Sequence, residues 1–137
     1  MKKIFALILL CFAGIAVQAQ NAPYRVIFDL TSKEPANQQA VIRQVKAIME
    51  SRPDATLEVA MYSEGLSLVS KENSPYRKDI ETLIKDHKVV FKVCGYTMKR
   101  KNIAPSALIE GVQVVPDAIY DIMTRQKEGW GYIKVAQ

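Results

Sequence analysis

Among the residues of this sequence, Cys94 is the best placed to do chemistry. It follows the apolar run Val89–Val93 and opens the segment Cys94-Gly95-Tyr96-Thr97-Met98-Lys99-Arg100-Lys101, which suits a strand end passing into a short helix. Backbone N–H groups at a helix start carry partial positive charge and stabilise a thiolate. Lys99, Arg100 and Lys101 add cationic surroundings if any of them folds back toward the sulfur, and Gly95 lets a ligand or partner approach closely. Gly95, Thr97 and Arg100 are therefore candidates for stabilising the thiolate or lining its site. The residues alone leave a second reading open, in which Cys94 is a small buried apolar side chain and the basic cluster an ordinary solvated helix end.

Other candidates are fewer. Thr31 and Ser32 follow the first strand in Asp29-Leu30-Thr31-Ser32-Lys33-Glu34-Pro35; the loop has no glycine with which backbone N–H groups could close around a phosphate. Flavin or nucleotide binding of the usual kind is disfavoured and no cofactor is expected. These hydroxyls serve to close a turn or cap the next helix, with Thr31 kept as a site-lining candidate. Glu64, in the turn Tyr62-Ser63-Glu64-Gly65-Leu66, is either a solvated acid or a group that orients a substrate. The sole histidine, His87, precedes the third strand at the wrong end of the sheet to assist Cys94, where it suits a helix C-terminus. With no second histidine, a zinc site and a Cys-His protease are excluded, and no metal is expected. A thiol oxidoreductase is weakened by the lack of a Cys-x-x-Cys pair.

Five short runs rich in Val, Ile, Tyr and Phe must carry these groups: Tyr24–Leu30, Thr56–Tyr62, Val89–Val93, Val112–Val115 and Gly131–Val135. Several are continuous rather than alternating, as strands buried on both faces of a parallel sheet are. Helical periodicity falls between them, along Pro35–Ser51, along Pro75–Asp86 with Ser74 as cap, and from Pro116 to a stop at Gly129. Asp117 and Asp121 read as solvated charge near the start of that last helix, and Trp130 and Tyr132 as core or oligomer-interface aromatics. Alternation of strands and helices predicts an α/β fold: a three-layer α/β/α sandwich, flavodoxin-like, with a mainly parallel five-stranded sheet. Ligands and chemistry in such sheets gather at the carboxyl ends of the strands.

The chain's beginning reads as a signal peptide, residues 1–19. Lys2 and Lys3 precede an apolar run of 14 residues, Ile4 to Val17, and Val17-Gln18-Ala19 suits cleavage. The run is shorter than the ~20 residues a spanning helix needs. Leu10 before Cys11 is too large for a lipoprotein signal. Cleavage leaves one domain, residues 20–137, exported to the periplasm or secreted. It carries 17 basic and 14 acidic residues. That mild excess does not argue for nucleic acid or a membrane surface. Cys11 leaves with the leader, so Cys94 has no partner for an internal disulfide.

With these elements in place, the sequence resembles the DsrE/DsrF-like sulfur-relay family, specifically its small exported members. The resemblance covers nearly the whole mature domain. It rests on Val26-Ile27-Phe28-Asp29-Leu30-Thr31-Ser32, Ser74-Pro75-Tyr76, Val93-Cys94-Gly95 with Thr97-Met98, Arg100 and Ile103, Gly111-Val112-Gln113-Val114-Val115-Pro116, and Arg125-Gln126-Lys127-Glu128-Gly129-Trp130-Gly131-Tyr132-Ile133-Lys134. Asn102 stands where the pattern has glycine; asparagine tolerates the left-handed conformation, so the helix end is expected to survive. The resemblance implies a homo-oligomer, trimer or hexamer, and Cys94 as a carrier that accepts sulfane sulfur as a persulfide and relays it. A donor or acceptor protein, or a small thiol, would be the partner. The alternative is a non-catalytic small-ligand-binding or oligomeric assembly module with the same fold.

Overall fold

The computed structural model describes residues 22–135; the leader expected over residues 1–19 lies outside them. The β-branched and aromatic runs form five strands: β1 (Arg25–Leu30), β2 (Thr56–Met61), β3 (Val90–Cys94), β4 (Gln113–Val115) and β5 (Gly131–Lys134). Between them lie α1 (Pro35–Ser51), α2 (Arg77–His87), the short α3 (Gly95–Arg100) and α4 (Ala118–Lys127), with 3-10 turns at Ser63–Val69 and Pro105–Ala107. The strand order is β4-β3-β2-β1-β5 and every pairing is parallel. This is the flavodoxin-like three-layer α/β/α sandwich expected from the alternation of elements.

The two faces of the sheet are chemically unlike. One presents Phe28, Leu30, Val59, Met61, Phe91 and Val93 to Val41, Val45 and Met49 of α1 and Ile80 and Leu83 of α2, forming the main core. The other carries Ile27 and Ala60, packed on Ile122 of α4 with Tyr62 and Trp130 alongside. On that second face the strands also carry Asp29, Glu58, Lys92 and Cys94, all buried. Side chains alternate between faces along a strand, so residues two apart share one. Strands that read as continuously apolar therefore hide a polar set on one side.

Local signals explain most boundaries. Pro35 occupies the first turn of α1, where its missing N–H costs nothing. His87 ends α2, with Lys88 beyond it at φ 55°. Asn102, at φ 53°, takes the left-handed turn after α3 as expected. Gly129, at φ 83°, closes α4: its N–H bonds the Gln126 carbonyl while Trp130 N–H bonds that of Arg125, the paired C-terminal arrangement that favours glycine. Two starts differ from expectation. Ser74 Oγ accepts from Tyr76 N–H (3.2 Å) in a separate turn, and α2 begins only at Arg77. Past Pro116, Asp117 caps α4 by accepting from Ile119 and Tyr120 N–H at 2.9 and 3.2 Å.

The connection from β3 to β4 adds Met98, Leu108 and Ile109 to the core on the α1/α2 side, whereas α4 leaves β4 for the opposite face. The chain thus diverges between the carboxyl ends of β3 and β4, the kind of crevice where open α/β sheets hold ligands. Cys94 is the last residue of β3, paired with Val115 of β4.

Candidate functional site

Cys94 serves two elements at once, as the end of β3 and the N-cap of α3. As a neutral thiol it makes no capping hydrogen bond, and its Sγ lies 4.0 Å from the Pro116 carbonyl oxygen. Sulfur is a weak acceptor until it ionises. Burial pushes the thiol up, but the N–H of Ala118, the N–H and hydroxyl of Thr97 and the N–H of Tyr96 together outweigh it. Cys94 consequently ionises below the ordinary thiol value. Two helix starts supply these donors, α3 from its own strand and α4 from the neighbouring one. Cys94 as a residue is buried, at 5% exposure.

Thr97 is itself buried, and its Oγ1 accepts from Ser63 N–H at 3.3 Å. With one lone pair so engaged, the hydroxyl proton is free to point at the sulfur. Thr97→Val should therefore slow alkylation of Cys94 at neutral pH by about tenfold, as expected for losing one hydrogen bond to a charged group. Thr97→Ser, which keeps the hydroxyl, should restore the rate. An unchanged rate in the valine variant would show that the backbone donors suffice.

Beside Cys94 on the same face, a polar cluster crosses the carboxyl edge of the sheet. Asp29, at the end of β1, accepts from the Tyr132 hydroxyl at 2.7 Å, the Tyr62 hydroxyl at 3.4 Å and Lys134 Nζ at 3.2 Å. Lys134 also donates to Thr31 Oγ1 (3.0 Å) and lies 5.7 Å from the centre of the Tyr62 ring. Burial, then the charge of Asp29 and the hydrogen bond to it, and lastly the neighbouring Cys94 hold Tyr62 above the usual phenol range. The hydrogen bond to Asp29, followed by burial, pushes Tyr132 up to about 12. A raised phenol pKa favours the neutral folded form. Its contribution to stability is complete below the unfolded value of about 10 and is lost as pH rises through about 12. Alkaline absorbance titration should show Tyr132 ionising late, and Asp29→Asn should bring that ionisation back toward 10; a late step that survives the substitution would sink the assignment.

The other expected residues separate. Thr31 joins the Asp29 cluster through Lys134, while Ser32 Oγ makes the turn by accepting from Glu34 N–H and Asn37 Nδ2. Gly95 makes room for protein: a Cβ there would lie 3.2 Å from the Val115 carbonyl oxygen, so it is β4 that approaches closely. Arg100 and Lys99 are exposed, and Lys101 is ion-paired with Glu64. The groups that lower the thiol are thus backbone amides and one hydroxyl, and the basic run Lys99–Lys101 is not among them.

Four further residues matter that the sequence reading did not single out as site residues: Asp29, Tyr62, Lys134 and Lys92. Lys92, two positions before Cys94 on the same face, is buried with its Nζ 2.6 Å from Glu58 and 2.9 Å from Asp121. Asp121, expected to be solvated, is therefore part of an ion-pair network under α4. Arg125 closes the network, its Nε and Nη2 reaching the two oxygens of Glu58 at 2.9 and 3.0 Å. Trp130 is half-buried, with the Arg25 and Arg125 guanidinium carbons 5.7 and 5.0 Å from its ring centre. The signal for the network was present as charged residues inside apolar strands, Glu58 two before Ala60 and Lys92 two before Cys94.

Comparison with known proteins agrees with this architecture. The DsrE/DsrF-like family matches residues 25–135. The solved structure of MTH1491 from Methanobacterium thermoautotrophicum, a protein of unknown function, is 31% identical, with a TM-score of 0.76 over 81% of this chain and 98% of that one. The ychN protein from E. coli shares the fold at 14% identity (TM-score 0.68, 81% and 97% covered). So does BT1422 from Bacteroides thetaiotaomicron, a conserved protein of unknown function, at 10% identity (TM-score 0.66, 81% and 94% covered). No curated protein matches the chain. The match over the whole described domain, and the 31% identity to a structure of the same fold, show that this chain belongs to the DsrE/DsrF-like family.

Proposed function

We propose that the protein is an exported carrier of sulfane sulfur that loads one sulfur atom onto Cys94 and passes it to an acceptor thiol. The observation that carries this reading is the set of donors around Cys94: amides from two helix starts and the Thr97 hydroxyl, all favouring the ionised sulfur. Loading is a displacement in which the Cys94 thiolate attacks the outer sulfur of a donor persulfide, R–S–SH. The new S–S bond forms as the donor's S–S bond breaks, leaving R–S⁻ and Cys94–S–SH. Unloading repeats the exchange, with an acceptor thiolate attacking the outer sulfur and Cys94 leaving as thiolate. No net oxidation occurs, and a low-pKa sulfur serves both as nucleophile and as leaving group. The partner is a small thiol or a protein thiol. Export rests on the basic, apolar and small-residue order of residues 1–19.

Assembly into a homo-oligomer belongs to the same proposal. Among the described residues α4 is the one helix on the second sheet face, and it leaves Ile119, Tyr120 and Met123 exposed, as are Tyr96 and Tyr132. Large apolar groups gathered in this way favour association. Intact-mass spectrometry of the mature, reduced protein after incubation with a low-molecular-mass persulfide tests the carrier reading. A gain of one sulfur, reversed by mild reduction, is expected. No gain by a protein whose thiol is confirmed free would return the domain to the binding or assembly module.

A further inference from the structure

The Ser63–Val69 turn and the loop after α3 border a half-open cavity of about 320 Å³ that does not include Cys94. This is at the lower end of the ~300–1,000 Å³ typical of small-molecule sites. Its walls are unlike the Cys94 cradle. Leu66, Ile103 and Leu108 form an apolar side, and Glu64 and Lys101 line it as an ion pair. Ser67 completes it, with its hydroxyl donating to the Glu64 carbonyl and accepting from the buried Gln38 side chain, both at 2.8 Å. Gln38 lies on α1, so this wall is tied to the main core and is formed before any ligand arrives. Ser63, the residue before Glu64, holds φ at 53°, an uncommon backbone state for a residue other than glycine.

We infer that this cavity is a binding site for an α-amino acid with an apolar side chain. The two charges are of opposite sign and in direct contact, so a ligand that satisfies both carries an ammonium and a carboxylate on one carbon. An α-amino acid does so, whereas the termini of a peptide stand farther apart. Lys101 would take the carboxylate and Glu64 the ammonium, and the side chain would lie against Leu66, Ile103 and Leu108. The resting ion pair is a weak barrier: Glu64 and Lys101 side chains are 49% and 30% exposed, and solvent screens such a pair. Exchanging it for two charge-assisted bonds while covering an apolar wall is favourable. The site adjoins Cys94 through one connection, since Ser63 N–H bonds the Thr97 hydroxyl that faces the sulfur.

Isothermal titration calorimetry of the mature chain with leucine, 4-methylpentanoate, isopentylamine and leucyl-leucine tests the assignment. Leucine is expected to bind, and each of the other three to bind at least about tenfold more weakly, a loss of ~1.4 kcal/mol. Glu64→Gln and Lys101→Met should each weaken leucine by a similar factor; both positions are at the surface, so folding is retained. Equal binding of the singly charged analogues, preference for the dipeptide, affinity unchanged in both variants, or no binding of leucine would each overturn the proposal. Cys94→Ser should bind leucine as the unsubstituted protein does, which keeps this test independent of sulfur loading.

Discussion

Cys94→Ser should take up no sulfur from a persulfide donor while unfolding at nearly the same temperature as the unsubstituted protein. Residues 20–137 contain no other cysteine, so no second thiol can mask the loss. A serine hydroxyl is not ionised at neutral pH and cannot displace a thiolate from a persulfide. Its oxygen is nonetheless a better N-cap acceptor than a neutral thiol, and the N–H groups of Tyr96, Thr97 and Ala118 already face that position. The balance of slightly poorer apolar packing against better capping should keep the stability change within about 1 kcal/mol. Thermal unfolding and intact mass, measured on the same sample, separate the two roles of the residue. A fall of several kcal/mol would mark Cys94 as a packing residue, and sulfur retained by the serine variant would place loading elsewhere in the chain.

The parts of this arrangement that could be read from the sequence are those set by local chemistry. Pro35, Asn102 and Gly129 each impose or tolerate a particular backbone state, and each lies where that state is used. Cys94 was legible because a strand end and a helix start are both local events. The basic run after it misled, because direction around a six-residue helix depends on what the helix packs against; Met98 turns inward and Lys99 and Arg100 outward. The Asp29 cluster was hidden for a different reason. Tyr62 and Tyr132 meet on one carboxylate only because β2 and β5 flank β1, a pairing that spacing along the chain does not specify. Ser74-Pro75 offered a sound helix start that was not used, since Ser74 closes its own turn before Arg77.

The largest stability effect is expected at Glu58, whose carboxylate is shared by two cations beneath α4. Glu58 and Lys92 side chains are 5% and 4% exposed, and Arg125 grips both oxygens of Glu58 from α4. Glu58→Gln would leave Lys92 with Asp121 alone and Arg125 with Glu128. Losing one of the two carboxylates that neutralise the buried Lys92 costs about 1–3 kcal/mol, less than a fully stranded charge would. In a domain of this size the loss corresponds to a Tm lower by roughly 5–10 °C. Glu58→Leu combined with Lys92→Leu should be much less damaging than Glu58→Gln alone, because both buried charges then disappear together. Asp121 and Arg125 are partly exposed, so each can turn to water once its inner partner has gone. Calorimetric unfolding of the two variants decides the matter: a double variant as unstable as the single one would mean that the ion pairs themselves hold the face together. The same network connects to Cys94, since Lys92 and Arg125 fasten α4 to the sheet and α4 begins with the Ala118 N–H that faces the sulfur. Alkylation of Cys94 should therefore slow in Glu58→Gln, and at least as much in the double variant, which removes both fastenings, each measured below its unfolding temperature.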